Sequence, residues 1–194
     1  MPPIHPWRLI LASASPRRRE LLKGLDLPVE ITKVDVDETP PPGMDDREVA
    51  EHLAVKKANA WPGTLAPDQA LITADTTVLV DGHLLNKPED AADAARMLGL
   101  LSGRMHRVHT GVCLKTMDRQ VAFTDMAEVH FGRLHPEEIA FYVHRYRPFD
   151  KAGSYGVQEW IGYVAVERIV GSFYTVMGLP LHRVYQELRK LPPP

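Results

Sequence analysis

The chain has 194 residues, of which 44% are apolar and 25% charged, with a formal net charge of −2. That is ordinary globular composition, which argues against disorder, and the net charge gives no reason to expect a nucleic-acid polymer as partner. No run reaches the roughly 20 apolar residues of a membrane span, and Cys113, the single cysteine, has no internal disulfide partner.

The expectation is therefore a cytoplasmic protein in a reducing compartment, with no membrane association. Cys113 lies in the apolar run Val112-Cys113-Leu114 and reads as a packed, inert thiol. Residues 1–194 read as a single domain, with loose termini at 1–8 and 192–194; the three prolines among Met1 to Pro6 make a leader without an apolar signal core.

The first element is the most informative. Leu9 to Ala12 is a short apolar run, as a buried strand reads. Ser15 can then cap a helix that Pro16 starts, Leu21, Leu22 and Leu25 give it an apolar face, and Gly24 can end it. Helix starts favour acids, because their unpaired N–H groups carry partial positive charge. Here Arg17, Arg18 and Arg19 stand there instead. A cationic helix start makes sense if an anion docks on it, with the Ser13 and Ser15 hydroxyls as further donors.

Val29 to Val36 alternates as a strand, and Asp35, Asp37 and Glu38 crowd its end before the stiff Pro40-Pro41-Pro42-Gly43. Asp45 or Asp46 can cap a helix running to about Trp61, with Lys56 and Lys57 near its end. Leu71 to Ala74 is a buried strand ending on Asp75-Thr76, and Thr77 to Val80 continues extended. Asp81-Gly82 is a hairpin turn, Leu84-Leu85 returns, and Asn86-Lys87-Pro88 closes it. A helix follows over Glu89 to Leu101, with Ala92, Ala95 and Leu98 at helical spacing.

Met105 to Lys115 and Gln120 to Phe131 read as an antiparallel pair turning at Met117-Asp118-Arg119. His106 and His109 fall on opposite strand faces, so no zinc pair is expected. Pro136 starts a helix that places Ile139, Tyr142 and Val143 inward and ends before Pro148. Asp150 to Trp160 is too rich in glycine for a regular element. A strand over Tyr163 to Val170, a loop over Gly171 to Gly178 and a helix from Pro180 to about Leu191 complete the chain. Mixed crossovers and hairpins give an α/β or α+β protein on an elongated mixed sheet with flanking helices, with two lobes around a cleft.

The polar residues expected at element ends form one constellation. Ser13, Arg17, Arg18, Lys57, Lys87 and Lys151 supply donors and cations; Glu38 and Asp75 supply carboxylates; Thr76 and Gln158 are neutral. Cations neutralise phosphoryl oxygens, and oxygen ligands hold a hard divalent metal such as Mg²⁺. A carboxylate near that metal can deprotonate a water. Walker and dinucleotide-binding glycine spacings are absent, as is a G-x-S-x-G nucleophile motif.

In Leu11-Ala12-Ser13-Ala14-Ser15-Pro16-Arg17-Arg18, Ala74-Asp75-Thr76, Lys87-Pro88, Asp150 to Gln158, and Gly171-Ser172-Phe173-Tyr174 with Val176 to Pro180, the chain resembles the Maf family of nucleoside triphosphate pyrophosphatases. The resemblance implies a two-lobed fold like that of inosine triphosphate pyrophosphatases. It further implies hydrolysis to the monophosphate and pyrophosphate, a divalent cation (Mg or Mn), a homodimer, and an association with septum formation. It makes Asp75 the proton acceptor and places Ser13, Arg17, Arg18, Glu38, Lys57 and Lys87 in the polar site. Glu38 joins Asp75 as metal ligand, and Thr76, Lys151 and Gln158 join the substrate-binding set.

Arg18, Thr76 and Gln158 match the positions of the dTTP/UTP subgroup. The subgroup acting on N7-methyl-GTP has an aromatic residue after the proline, where this chain has Arg17. Thr73 and Glu159 depart from the family pattern, and acidic Glu159 beside Gln158 would suit a cationic base such as N7-methylguanine. Two other classes are a nucleotide-binding regulator of septum formation without turnover, and a phosphomonoesterase using Asp75 as nucleophile. Asp35-Val36-Asp37 has the D-x-D spacing of the latter chemistry but runs into Glu38 and the proline-rich loop.

Overall fold

A computed structural model describes residues 7–191. Of the termini expected to be loose, 1–6 and 192–194 lie outside the described residues. Trp7 is buried, and Arg8 opens the first strand with a bidentate ion pair to Asp68 at 2.7 and 2.9 Å.

The strands are β1 (Arg8–Ala12), β2 (Val29–Thr32), β3 (Gln69–Val80), β4 (His83–Leu85), β5 (Met105–Lys115), β6 (Gln120–Phe131) and β7 (Val166–Val170). The helices are α1 (Pro16–Lys23), α2 (Val49–Ala60), α3 (Ala91–Leu101), α4 (Pro136–Tyr146), α5 (Trp160–Ala165), α6 (Phe173–Met177) and α7 (Leu181–Lys190). Hydrogen bonds order the strands β2-β1-β3-β5-β6-β7, with β4 also on β3. β1 is parallel to β2 and β3, while β4 on β3 and β7 on β6 are antiparallel, so the sheet is mixed as expected.

The chain divides into two compact units. One comprises Met1–Asp75, Thr110–Asp125 and Gly178–Pro194, and the other Thr76–His109 and Met126–Met177. In the first, Ile10, Ala12, Leu71 and Cys113 of the strands bury against Ala54 and Ala58 of α2. In the second, Val78, Val80, Val108, Val129 and Phe131 pack with Leu98 and Leu101 of α3, Tyr142 of α4 and Ile161 of α5. Each side chain of that size contributes roughly 1.5–3 kcal/mol when fully buried.

Several boundaries differ from the sequence reading. β3 does not stop at Asp75-Thr76; it runs unbroken through both. Thr73, Thr76 and Thr77 are β-branched and favour extended backbone, so nothing local ends the strand there. It ends at Asp81-Gly82, whose φ values of 49° and 78° are those of the tight turn that matches strand twist. β2 ends at Thr32, short of Val36. α2 starts at Val49 because the Asp45 carboxylate holds a turn, accepting from Arg47 N–H at 3.0 Å.

α3 begins at Ala91, capped by the Asp90 carboxylate. Its buried face is Ala94, Met97, Leu98 and Leu101, one step round from the alanines first picked out; Ala92 is exposed. The expected strand from Tyr163 splits into α5 and β7, and the expected Gly171–Gly178 loop contains α6. Short apolar runs carry too little periodicity to separate strand from helix.

Candidate active site

In the first unit, the switch from β1 to α1 forms as its residues dictate. Ser15 is extended and its Oγ accepts from Arg18 N–H at 3.4 Å, while Pro16 takes the first helical position. Ser13, which is buried, accepts on Oγ from Ser15 N–H at 3.2 Å. Both hydroxyls thus serve as acceptors and keep an O–H to donate. Arg17 is half-buried at the helix start.

Arg18 plays a part that its sequence position does not announce. Its Nε donates to Gly178 O at 2.7 Å and its Nη1 to Ala74 O at 2.8 Å. The guanidinium ties the helix to the carbonyl immediately before Asp75. Burial lowers its pKa from the ordinary arginine value, and Asp75 opposes that shift.

Asp75 lies within β3, on the same strand face as Thr73. Thr73 Oγ1 donates to Ala54 O on α2 at 2.6 Å. Asp75 Oδ1 accepts from Lys57 Nζ at 2.5 Å. Ala54 and Lys57 are three apart on α2 and face the same way, so two strand residues grip two helix residues in step. Thr73, a departure from the family pattern, therefore anchors the helix that carries Lys57.

The same Lys57 ammonium meets Glu38 Oε1 at 2.8 Å. Glu38 sits in the loop after β2, and its neighbours hold it there. Lys56 Nζ donates to Asp37 O at 2.6 Å, and Asp37 Oδ1 accepts from Thr39 N–H at 2.9 Å. Those Thr39 hydrogen bonds lower the Asp37 pKa from its ordinary value. The structure brings Glu38, Lys57 and Asp75 together, as their grouping predicted. Thr73, Lys56 and Asp37 are supports that sequence reasoning missed; lysine next to lysine was the one available signal.

Two carboxylates converging on one cation suit a hard divalent metal held by protein acids and substrate phosphates. Among the described residues there is no cluster of three or more His, Cys, Asp or Glu able to hold a metal by itself. Cys113 is buried, which pushes its thiol up to about 11 and leaves it inert.

In the second unit, Lys151 Nζ pairs with Asp150 Oδ1 at 2.7 Å and Glu159 Oε1 at 3.2 Å. The other Glu159 oxygen accepts from the Tyr142 hydroxyl, which itself accepts from Gly156 N–H at 3.0 Å. Gln158 is half-buried, and its Oε1 is buried without a hydrogen-bond partner among the described residues. Thr76 is half-buried in β3, and Lys87 is exposed between β4 and α3. His106 donates or accepts at Nε2 with the Tyr155 hydroxyl, 2.7 Å away. Burial lowers the His106 pKa to about 3 and raises that of Tyr155. The roles of Tyr142, Glu159 and His106 were missed, because their partners lie 14 to 49 residues away in sequence.

Comparison with known proteins gives named relatives along nearly the whole chain. A protein of Porphyromonas gingivalis (strain ATCC 33277) named dTTP/UTP pyrophosphatase is 51% identical, over 94% of this chain and 94% of its own length. One of Bacteroides thetaiotaomicron with the same name is 50% identical, over 95% and 96% respectively. A third, of Flavobacterium psychrophilum, is 44% identical over 92% and 91%. The model of the family described as Maf-like protein matches residues 8–191, and the chain belongs to that family.

Proposed function

We propose that the protein is a nucleoside triphosphate pyrophosphatase that hydrolyses dTTP and UTP to the monophosphate and pyrophosphate. The observation that carries the reading is the convergence of Glu38 and Asp75 on one cation position, 2.8 and 2.5 Å from the Lys57 ammonium. The relatives named dTTP/UTP pyrophosphatase support it along nearly the whole chain.

Asp75 accepts a proton from water as the water oxygen bonds to the α-phosphorus. The bond from that phosphorus to the α–β bridging oxygen breaks, and pyrophosphate leaves with the electron pair. Ser13, Arg17, Lys57 and Lys87 offer donors and cations to the phosphoryl oxygens, where charge builds in the transition state. Arg18 and Thr73 keep Asp75 and α2 in register, through Ala74 O and Ala54 O. Glu38 and Asp75 would hold a divalent cation, Mg²⁺ or Mn²⁺, which supplies charge neutralisation on the phosphates when bound.

Gln158 reads the base, with Arg18 and Thr76 as the other subgroup positions. A uracil or thymine edge offers an N–H between two carbonyl acceptors. The Gln158 Oε1 accepts that N–H, and its amide N–H₂ meets a neighbouring carbonyl. Glu159, the residue that could favour a cationic base, is engaged by Lys151 and Tyr142, which weakens the case for N7-methyl-GTP. A cytoplasmic homodimer with a link to septum formation completes the proposal.

The test is product analysis by phosphorus NMR on dTTP, UTP, CTP, GTP, ATP and N7-methyl-GTP with Mg²⁺ or Mn²⁺. UMP and pyrophosphate are expected from UTP. Orthophosphate as the first product would replace this reading with the phosphomonoesterase class, and no product would replace it with a regulator. Fastest turnover of N7-methyl-GTP would overturn the base assignment alone.

A further inference from the structure

The turn that carries Gln158 is held at both ends by one buried hydroxyl. Glu159 N–H donates to Gly156 O at 2.9 Å, so Gly156-Val157-Gln158-Glu159 is a closed turn with Gln158 third. The Tyr142 hydroxyl accepts from Gly156 N–H at 3.0 Å and donates to the Glu159 carboxylate. Tyr142 is 0% exposed, and its ring stacks on Tyr146 with centroids 5.0 Å apart. The hydroxyl is therefore fixed by α4 packing rather than by the loop it grips.

Gly156 makes a second contribution. A Cβ there would lie 3.0 Å from Gln158 Nε2 and 2.9 Å from Glu159 Cδ. Both side chains fold back over the turn into space that only glycine leaves. The two ends of the Gln158 amide thus differ: Nε2 rests against Gly156, while Oε1 is buried without a hydrogen-bond partner among the described residues.

We infer that Tyr142 and Gly156 are positioning residues that fix the orientation of the Gln158 amide and so set base preference; this rests on the reading of Gln158 given above. Uracil presents an N–H donor beside a carbonyl acceptor, and cytosine presents a ring-nitrogen acceptor beside an amino donor. An amide locked one way pairs with uracil and mispairs with cytosine; an amide free to rotate accommodates both. Discrimination built on hydrogen bonds is large because the wrong partner leaves buried groups unpaired. A loosened turn therefore lowers preference, while Asp75, in the other unit, still performs the chemistry.

Steady-state kinetics on UTP and CTP test this with the wild type, Tyr142→Phe and Gly156→Ala, alongside thermal melts. The UTP-over-CTP ratio of kcat/KM should fall roughly tenfold in both variants, mainly through KM for UTP, with kcat for UTP within about twofold. A purely structural role predicts something else: a lower melting temperature, kcat reduced by the same factor for both nucleotides, and an unchanged ratio. That result overturns the inference. Gly156→Ala keeps the Tyr142 hydroxyl itself and crowds the turn from the other side, at the Gln158 and Glu159 side chains, so it decides the matter if Tyr142→Phe does not fold. A wild type that treats UTP and CTP alike sinks the reading of Gln158 and this inference with it. A discriminating wild type with equally discriminating variants sinks the positioning role alone.

Discussion

Two buried lysines, one in each unit, are each clamped by two carboxylates. Lys57 holds Glu38 and Asp75, and Lys151 holds Asp150 and Glu159. The environments differ. Glu159 is engaged at both oxygens, by Lys151 and by the Tyr142 hydroxyl, and that hydroxyl also holds the loop backbone. Around Lys57 the restraint falls on the main chain instead: Arg18 on Ala74 O, Thr73 on Ala54 O, Lys56 on Asp37 O. Glu38 and Asp75 share one cation, and the backbone beside each of them is held as well. A lysine clamped between acids can thus be a staple or a placeholder, and the hydrogen bonds around the acids tell which.

The largest expected effect breaks the comparison at Asp75. Asp75→Asn removes the charge and keeps the shape, so it should slow turnover by roughly 10²–10⁴-fold. Circular dichroism should show the fold unchanged. Near-normal turnover would remove Asp75 as the base and reduce Lys57 to a second staple.

Next come the lysines themselves. Lys57→Met and Lys151→Met each strand carboxylates beside an apolar side chain, and each should cost about 3 kcal/mol of stability. Millimolar Mg²⁺ separates them. It should raise the melting temperature of Lys57→Met towards that of the wild type, because Glu38 and Asp75 regain a shared cation. Lys151→Met should not respond, since Glu159 remains tied to Tyr142. Equal responses in melts with Mg²⁺ and with EDTA would erase the distinction between the two clusters.

Much of this was legible in the chain. The β1–α1 switch follows from Ser15, Pro16 and the leucines, and the Asp81-Gly82 turn and the limits of β5 and β6 came out where the residues put them. The grouping of Glu38, Lys57 and Asp75 was also readable, because the polar residues at element ends set a cation beside carboxylates. What stayed hidden was pairing over distance. Nothing in Arg18 announces a bond to a carbonyl 160 residues away, and nothing in Glu159 announces Tyr142. Thr73 looked like a deviation because its partner, Ala54 O, is a backbone atom and leaves no mark in the sequence. Tyr163 to Ala165 was misread as strand because Tyr163 and Val164 suit either element and a six-residue helix does not show a period.

A smaller effect sharpens the picture of the second unit as one held by burial. His106 is buried at 1% exposure beside Tyr155, with its pKa lowered to about 3. The unfolded chain therefore binds a proton at this site below about pH 6.5 that the folded chain does not take until about pH 3. Stability from His106 is complete above pH 6.5 and is lost as pH falls towards 3, with a slope of up to about 1.4 kcal/mol per pH unit. His106→Gln should flatten that acid limb in denaturant titrations between pH 6.5 and 4. An unchanged limb would place the acid sensitivity on other groups.

The smallest effect concerns a third lysine, the exposed counterpart of the buried two. Lys87 precedes Pro88 in the short segment between β4 and α3. Its substitution by alanine should leave the melting temperature within a degree or so, since surface lysines contribute little to stability. If it meets a phosphate in both ground and transition states, Lys87→Ala should raise KM for UTP with a modest loss of kcat, lowering kcat/KM about tenfold. Added salt should narrow the gap between variant and wild type, because an exposed charge is screened beyond about 8 Å at physiological ionic strength. Lys57→Met should show no such salt response, because the Lys57 ammonium is itself buried against the buried Asp75 carboxylate. Unchanged kinetics in Lys87→Ala would return this lysine to the solvated surface and leave the phosphates to Ser13, Arg17 and Lys57.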